Sequence, residues 1–529
     1  MYIRMKAVEN SGLHYLVKLC RDLCVWVIAV TIVLLFLLLL VTESFPGTYR
    51  YVQIVHIHNE EPPAYITDEK FLSIGLDCFV IATGFKGFNT SSPKLVKMMR
   101  HLSPSYLRIG GNLADRLIFD PESDEPYKYA ENLYNQIGDE DDINYQLAPN
   151  YSMTGRQWID LVKLTEKANL DAIFDLNSLL RQSDGEWDYH NAETLIEFSQ
   201  NNSLKLNWEL GNEPNSYHHK FNTSVSPEQL AKDFQTLKSL LEEYPLYSNA
   251  MLVGPDVDRL VTKNGQNEEY LRVFLSHIGR LIDAITWHQY YVNGRTATAQ
   301  DFLNPVIFDT LKTQIKTMKS ILNGTHLSNK PFWLGETASA YGGGAPNLSD
   351  TFIGVFLWVD KLGLCAKLGV NVVIRQSIFK EYYALLDKNY DPNPDYWVSI
   401  LYKRLVGHKV LNYFTVTMPT VRLYAHCSSK NIPTNSVVIF GSNLGNTEAN
   451  IKLEPSDSNS LIVVAYELTS DSLLSKNIRL NGRLLKLRRN YELPTFVPKF
   501  TNTEPYVKMP PYSIVFWVVK GLNVKTCSN

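Results

Sequence analysis

Residues 205–254 read KLNWELGNEPNSYHHKFNTSVSPEQLAKDFQTLKSLLEEYPLYSNAMLVG, and this stretch decides the fold. It opens on a short apolar run, Lys205–Leu210, that breaks at Gly211 into a polar turn. An amphipathic stretch follows over Pro227–Glu243, then a second apolar run, Ala250–Gly254. Strand, helix, strand is the βα rhythm of a parallel sheet.

Outward from there, the rhythm repeats from about Leu72 to Gln376. The expected strands are Leu72–Phe79, Ser105–Ile109, Leu170–Leu176, Lys205–Leu210, Ala250–Gly254, Ala284–His288, Pro331–Gly335 and Val370–Arg375. Expected helices include Pro93–Leu102, Thr154–Ala168, Ala192–Gln200, Pro227–Glu243, Glu268–Ile282, Val306–Leu322 and Asp350–Leu368. Eight β/α units with buried strands predict an α/β protein, a (β/α)8 TIM barrel. Beyond Val410 the helical pattern fades. Val416–His426, Asn435–Gly441, Leu461–Leu468 and Ile514–Val519 read as strands between turns, a C-terminal β-sandwich. An early strand near Tyr51–Ile57 is free to join it. The expected domains are a cytosolic tail (1–22), a membrane span (23–42), an N-terminal strand joining the sandwich (51–70), the barrel (71–405) and the sandwich (406–529).

Composition narrows the function. The 529 residues are 45% hydrophobic and 20% charged, so the chain is not intrinsically disordered. Net charge is −3, against the basic balance of a nucleic-acid binder. Six cysteines in this length exclude a disulfide scaffold.

Leu23–Thr42 (LCVWVIAVTIVLLFLLLLVT) carries no charge over 20 residues. As a helix it would span ~30 Å, one hydrocarbon core. Arg4, Lys6, Lys18 and Arg21 precede it and Glu43 follows it, so the positive-inside rule puts the bulk of the chain in the lumen or outside. The reading is a type II signal anchor; the alternative is a cleaved leader, with secretion or lysosomal delivery. Asn89, Asn150, Asn201, Asn222, Asn323 and Asn347 each begin an N-x-S/T sequon, consistent with that orientation. No CxxC or His-rich spacing suggests a metal, and no cofactor motif is present. Cys427 and Cys527 share the β-rich region and are expected to pair. Asp120–Asp142 holds nine acids and one lysine, an expected solvated rim loop after strand two.

In a TIM barrel the active site gathers at the C-terminal strand ends. Those ends carry Arg108-Ile-Gly-Gly-Asn112, Asn207 to Tyr217, Trp287-His-Gln-Tyr-Tyr291, Trp333-Leu-Gly-Glu-Thr337 and Arg375-Gln376. Glu213 and Glu336, at the ends of strands four and seven, are the candidate catalytic pair. Two carboxylates facing across a barrel mouth are what glycoside hydrolysis needs: one protonates the leaving oxygen, the other attacks the anomeric carbon. Asn212 is placed to bond a sugar 2-hydroxyl, and His288 to position Glu336 or the sugar. Glu209, on the same strand, lies deeper and ranks below Glu213. The glycines after Tyr341 are expected to let backbone N–H groups approach a sugar carboxylate.

NWELGNEPNSY, WHQYYVNGRTAT, WLGETASAYGGGAP with LSDTF, and DPNPDYW with KRLVGHKVL resemble the heparanase family, endo-β-glucuronidases of glycoside hydrolase family 79. The resemblance runs from about Phe71 to Cys527. It implies the barrel plus sandwich, a retaining mechanism, Glu213 as proton donor and Glu336 as nucleophile. It also implies a substrate cleft with Asn212, His288, Tyr290, Arg295, Gly342, Gly343 and Tyr383, and it supports the Cys427–Cys527 bridge. Departures are Phe79, Asn112 and Gln289, which stand where the family has asparagine, threonine and histidine; Asn112 is kept as a cleft residue. Basic clusters are thinned: Arg156 stands alone in APNYSMTGRQW, and Arg259 and Lys263 are spread out. A cleft with fewer cations grips a sulfated chain less well. Lys476, Arg479, Arg483, Lys486, Arg488 and Arg489 form a basic stretch in the sandwich.

The expectation is therefore a retaining endo-β-glucuronidase acting on a glycosaminoglycan, heparan sulfate first, as a monomer and as one uncut chain. The alternatives are a hydrolase of hyaluronan or another unsulfated glucuronide, or a silent heparan-sulfate-binding protein.

Overall fold

The computed structural model describes residues 26–27, 30–32, 52–123, 145, 148–416, 418–432, 435–455, 461–501, 503 and 505–528. The expected cytosolic tail, nearly all of the expected span and most of the acidic stretch after Asp120 lie outside them. No helix among the described residues is long and apolar enough to cross a membrane. Residues 1–51 and 52–529 form two separate units, and the barrel and the sandwich both belong to the second.

Eight parallel strands form the barrel: Leu72–Asp77, Tyr106–Gly110, Asp171–Leu176, Asn207–Leu210, Val253–Val257, Ala284–Gln289, Phe332–Thr337 and Val372–Arg375. Numbered one to eight along the chain, they lie in the order 4-3-2-1-8-7-6-5. A single parallel bridge, Trp208 to Leu252, closes strand four onto strand five. Apart from Asp171 and Asn207 at their starts, the strands are buried throughout. That is why they read as apolar runs and not as alternations.

Strand five departs from expectation, running over Val253–Val257 and not Ala250–Gly254. Pro255 reads as a strand breaker because it has no N–H to give. Here it falls within a register irregularity, between the pairs Gly254–Ile285 and Val257–Trp287, so regular pairing resumes past it. The shift brings Asp256 to the barrel mouth. An eighth helix, Pro394–Leu405, completes the ring.

Beyond the barrel, Val421–Ser428, Ser436–Asn443, Ser513–Lys520 and Ile462–Thr469 lie side by side, antiparallel, in one sheet. The expected strand Val416–His426 is two, Tyr413–Val416 and Val421–Ser428, in different sheets. In the second sheet Val52–Ile57 lies between Tyr413–Val416 and Ala449–Glu454, so the early strand completes the C-terminal domain. Its burial alternates, with Val55 and Ile57 turned into the core. Cys427 and Cys527 are bridged, closing a loop with a sequence separation of 100. Helix Phe352–Lys367 is buried nearly all round because it is wedged between barrel and sandwich. Its Asp360 accepts from Arg422 Nε and Tyr424 Oη, both at 2.5 Å, which locks the two domains together.

Candidate active site

Strand four shows how local sequence builds the site. Gly211 follows it with φ +81°, in the left-handed region that favours glycine. A Cβ there would lie 2.5 Å from both Ser178 Oγ and Tyr217 Oη. The turn continues through Asn212 to Glu213, which holds φ 53° and ψ 55°. A glutamate in that region carries strain and needs its surroundings to hold it. Asn212 N (3.0 Å) and Tyr217 Oη (2.8 Å) both donate to Asp115 Oδ2, and Glu213 N donates to the Asp256 carbonyl at 3.0 Å.

Glu336 comes from strand seven. Its Oε2 accepts from Arg108 Nη1 at 2.8 Å and its Oε1 from Tyr290 Oη at 2.7 Å. His288 is its register neighbour on strand six, where a bulge separates Trp287 from His288. The ring nevertheless serves Glu213: Nδ1 lies 2.9 Å from Glu213 Oε1 but 4.0 Å from Glu336 Oε1. One oxygen of each glutamate and a ring nitrogen of His288 lie within 4.8 Å of one another.

Arg108, on strand two, ties this pair to the barrel floor. It is 1% exposed and donates to Glu209 Oε2 (2.7 Å), Asp256 Oδ2 (2.7 Å) and Asn212 Oδ1 (3.0 Å) besides Glu336, with Asp175 at 3.5 Å. Glu209 is therefore a buried partner of Arg108 and not a cleft residue. Burial pushes the Asp175 and Glu209 carboxyls well up, with Arg108 opposing it at each. Burial would also raise Asp256, but Arg108 and then His288 outweigh it and hold that group ionised. Burial alone would lower the His288 imidazole; Glu336 and Asp256 raise it to about 10, so it is protonated at neutral pH. Glu213 follows the same logic with the opposite sign. Burial pushes it up, yet the Lys220 ammonium and the His288 ring bring it well below the usual carboxylate range.

A cleft of about 490 Å³ opens over the pair, lined by Asn112, Asn212, Glu213, Tyr290, Arg295, Glu336, Gly342, Gly343 and Tyr383 among others. All of the expected site residues except one lie at its wall. His288 is fully buried and does not reach the cleft; it stands behind Glu213, with Nε2 3.4 Å from Asp256. Gly342 and Gly343 turn the rim with φ +76° and +71°. The asparagines of all six sequons are exposed.

The sequence reading assigned no role to Arg108, Asp256 or Lys220. The first two carried a signal: a charged side chain ending an otherwise apolar buried strand needs a partner. Lys220 had none. It lies seven residues past Glu213 in the short helix Tyr217–Phe221, and only the folded turn swings its Nζ onto Glu213 Oε2 and, at 2.5 Å, onto Asn112 Oδ1. Of the basic stretch in the sandwich, Lys476 pairs with Asp350 and Arg479 with Asp471.

Glu213, His288 and Glu336 are near enough to share an ion, but Lys220 and Arg108 already place positive charge on their oxygens, which opposes a metal cation there.

The family model for glycosyl hydrolase family 79, N-terminal domain, matches residues 77–363. A heparanase from Rattus norvegicus is 38% identical over 498 residues, covering 86% of this chain and 91% of its own. A hyaluronoglucuronidase from Hirudo nipponia is 32% identical over 495 residues, covering 87% and 96%. The inactive heparanase-2 of Homo sapiens is also 32% identical, over 525 residues, covering 88% of each. Among solved structures, a 4-O-α-L-rhamnosyl-β-D-glucuronidase from Fusarium oxysporum has the same fold at TM-score 0.62 and 14% identity, over 88% of this chain and 100% of its own.

Proposed function

The chain belongs to glycosyl hydrolase family 79, and from that premise we propose that it is a retaining endo-β-glucuronidase cleaving glycosaminoglycan chains, heparan sulfate first. One observation carries the reading: Glu213 and Glu336, from opposite sides of the barrel mouth, bring one carboxylate oxygen each within 4.8 Å of the other, close enough for the retaining arrangement. Retaining glycosidases hold their carboxyl groups ~5–5.5 Å apart, inverting ones ~6.5–9.5 Å.

Glu336 is the nucleophile. Arg108 and Tyr290 occupy one oxygen each, so its direction of attack on the anomeric carbon is fixed before substrate arrives. The C–O bond to the leaving sugar breaks as the Glu336 ester forms. Glu213 gives its proton to the departing oxygen, then takes one from the water that cleaves the ester. The uronate carboxylate is assigned to the rim of Gly342, Gly343 and Arg295, where a cation and glycine backbone line the cleft.

A second reading, hydrolysis of hyaluronan or another unsulfated glucuronide, is favoured by charge. The cleft wall sets Lys220, Arg259 and Arg295 against Asp77, Glu213, Asp258 and Glu336, and Lys220 is already engaged with Glu213. The Hirudo nipponia relative is named for such a reaction. A silent binding protein would not need both carboxylates, and both are present.

The domain is assigned to the lumen or cell exterior, tethered by the uncharged run at 23–42 or released by its cleavage. The exposure of all six sequon asparagines supports this side of the membrane.

Heparan sulfate, hyaluronan and an aryl β-glucuronide, each incubated with the protein and with Glu336→Gln, test the reading. Even-numbered oligosaccharides that keep the β anomer at the instant of cleavage are expected from the first. No product from any of the three overturns it.

A further inference from the structure

An acid catalyst must hold a proton, yet Glu213 is paired with two cations, Lys220 and His288. His288 lies behind it, fully buried and held by Asp256. Lys220 is different. It is in the cleft wall, its side chain is 19% exposed, and besides Glu213 it bonds the neutral Asn112 and is attracted by the Asp258 carboxyl. It stands on the strand two to strand four side of the mouth, as do Asn112 and Glu213, across from Glu336 and the glycine rim. The acid faces the glycosidic oxygen, so this is the side that receives the leaving-group sugar.

Resting on the glucuronidase reading, we infer that Lys220 is a specificity gate: it neutralises Glu213 and releases it when a sulfate on the leaving-group sugar takes the ammonium. In an alternating glucuronide chain cut after the glucuronide, the leaving sugar is a hexosamine. It carries sulfate or acetyl groups and no carboxylate, so sulfate is the anion Lys220 meets. Once Lys220 has turned to the sulfate, Glu213 takes a proton from solvent and is ready to pass it to the leaving oxygen. An unsulfated sugar leaves the Lys220–Glu213 pair closed.

The charges around Glu213 agree. His288 is its other cation, and it is tied to Asp256 and faces Glu336 at 4.0 Å. Arg108 is committed to Glu209, Asp256, Glu336 and Asn212. Tyr290 is committed to Glu336. Asp258 and Arg259 line the same wall; Asp258 accepts from Ser216 Oγ at 3.4 Å, and burial followed by Glu213 itself pushes its carboxyl up. Among these cations Lys220 alone combines a bond to Glu213 with a place in the cleft wall, so it is the one a substrate can draw away.

Two hexasaccharides of alternating glucuronate and N-acetylglucosamine, identical but for 6-O-sulfate on the hexosamines, test this with the protein, Lys220→Met and Lys220→Arg. The native protein is expected to cleave the sulfated one several-fold faster in kcat/KM. Lys220→Met is expected to bring that ratio near one, by gaining on the unsulfated substrate and not only by losing on the sulfated one. Its alkaline limb of kcat/KM for the unsulfated substrate moves to higher pH, because Glu213 keeps its proton longer. Lys220→Arg keeps the preference. Equal rates on both substrates with the native protein, or a Lys220→Met that slows both alike with an unmoved pH profile, overturns the gate while leaving the glucuronidase standing. No cleavage of either overturns both.

Discussion

Tyr290 Oη donates to Glu336 Oε1 at 2.7 Å, on the oxygen that Arg108 leaves to it. The bond acts on both halves of a double displacement. In the first, the carboxylate gives up charge and the donor holds it back. In the second, the carboxylate is the leaving group and the donor helps it go. Tyr290→Phe is therefore expected to slow release of the glycosyl-enzyme more than its formation. Loss of a hydrogen bond to a charged group costs about 1.5–3 kcal/mol, so kcat on an aryl glucuronide should fall about ten- to a hundredfold, with a burst of aryl alcohol in the first turnover. An unchanged kcat would remove Tyr290 from the reaction.

The two glutamates are separable by leaving group. Glu336→Gln is expected to abolish turnover of every substrate, because no ester can form. Glu213→Gln is expected to lose about 10²–10⁴-fold on polysaccharide and much less on an aryl glucuronide with an acidic phenol, which departs without a proton. Circular dichroism should show both variants folded. Near-normal polysaccharide cleavage by either would sink the assignment.

Both glutamates are legible in the amino-acid sequence. They lie where buried apolar strands end in polar residues, and the eight-fold rhythm says those ends meet. The same rhythm located seven of the eight barrel strands and set the fifth too early in the chain, because a strand buried on both faces has no choice but to be apolar. What stayed hidden depends on contacts between distant turns. His288 read as a cleft residue, yet its ring is fully buried behind Glu213, with Nδ1 2.9 Å from Glu213 Oε1. Asp256 lies past Gly254, where strand five was expected to end. Lys220 had neither periodicity nor a strand end to mark it.

Arg108 is the one cation within hydrogen-bonding distance of Glu209, Asp256 and Glu336 together, among the described residues. Removing it leaves buried carboxylates without their counterion, and breaking such a cluster costs about 3–5 kcal/mol. Arg108→Met should show that loss in urea unfolding. Arg156→Met is the control: Arg156 is 84% exposed and, among the described residues, paired only with Asp160, so its loss should stay within about 0.5 kcal/mol. Equal effects would mean that the network is not holding the floor together.

The Cys427–Cys527 bridge ties strand Val421–Ser428 to the C-terminal turn across a separation of 100 residues. A crosslink spanning about a hundred residues is worth ~4–5 kcal/mol in the chain-entropy account. The double variant Cys427→Ser, Cys527→Ser should lower stability by that order in urea unfolding, and reductant should lower the native protein but not the variant. Indifference of the native protein to reductant would argue against a structural role.

His426 gives the fold a pH dependence of known sign. It is fully buried in strand Val421–Ser428, against Phe440, with Nδ1 2.8 Å from the Gly407 carbonyl and, among the described residues, no partner at Nε2. Burial lowers its imidazole to about 4, while the unfolded chain titrates near 6.5. Between those values the unfolded state binds a proton that the folded state refuses. Its contribution is thus fully present above pH 6.5, falls as the pH drops toward 4, and falls no further once both states are protonated. From pH 7 to 4.5 the loss amounts to about 2–3 kcal/mol at one unit per 1.36 kcal/mol. His426→Gln keeps a donor for Gly407 and has nothing to titrate. Other groups change over the same range, so the difference between the two proteins is the readout. Urea unfolding at pH 7 and 4.5 should show the variant losing about 2–3 kcal/mol less than the native protein, whatever its starting stability. Parallel losses would mean that His426 takes up its proton in the folded state as readily as in the unfolded one.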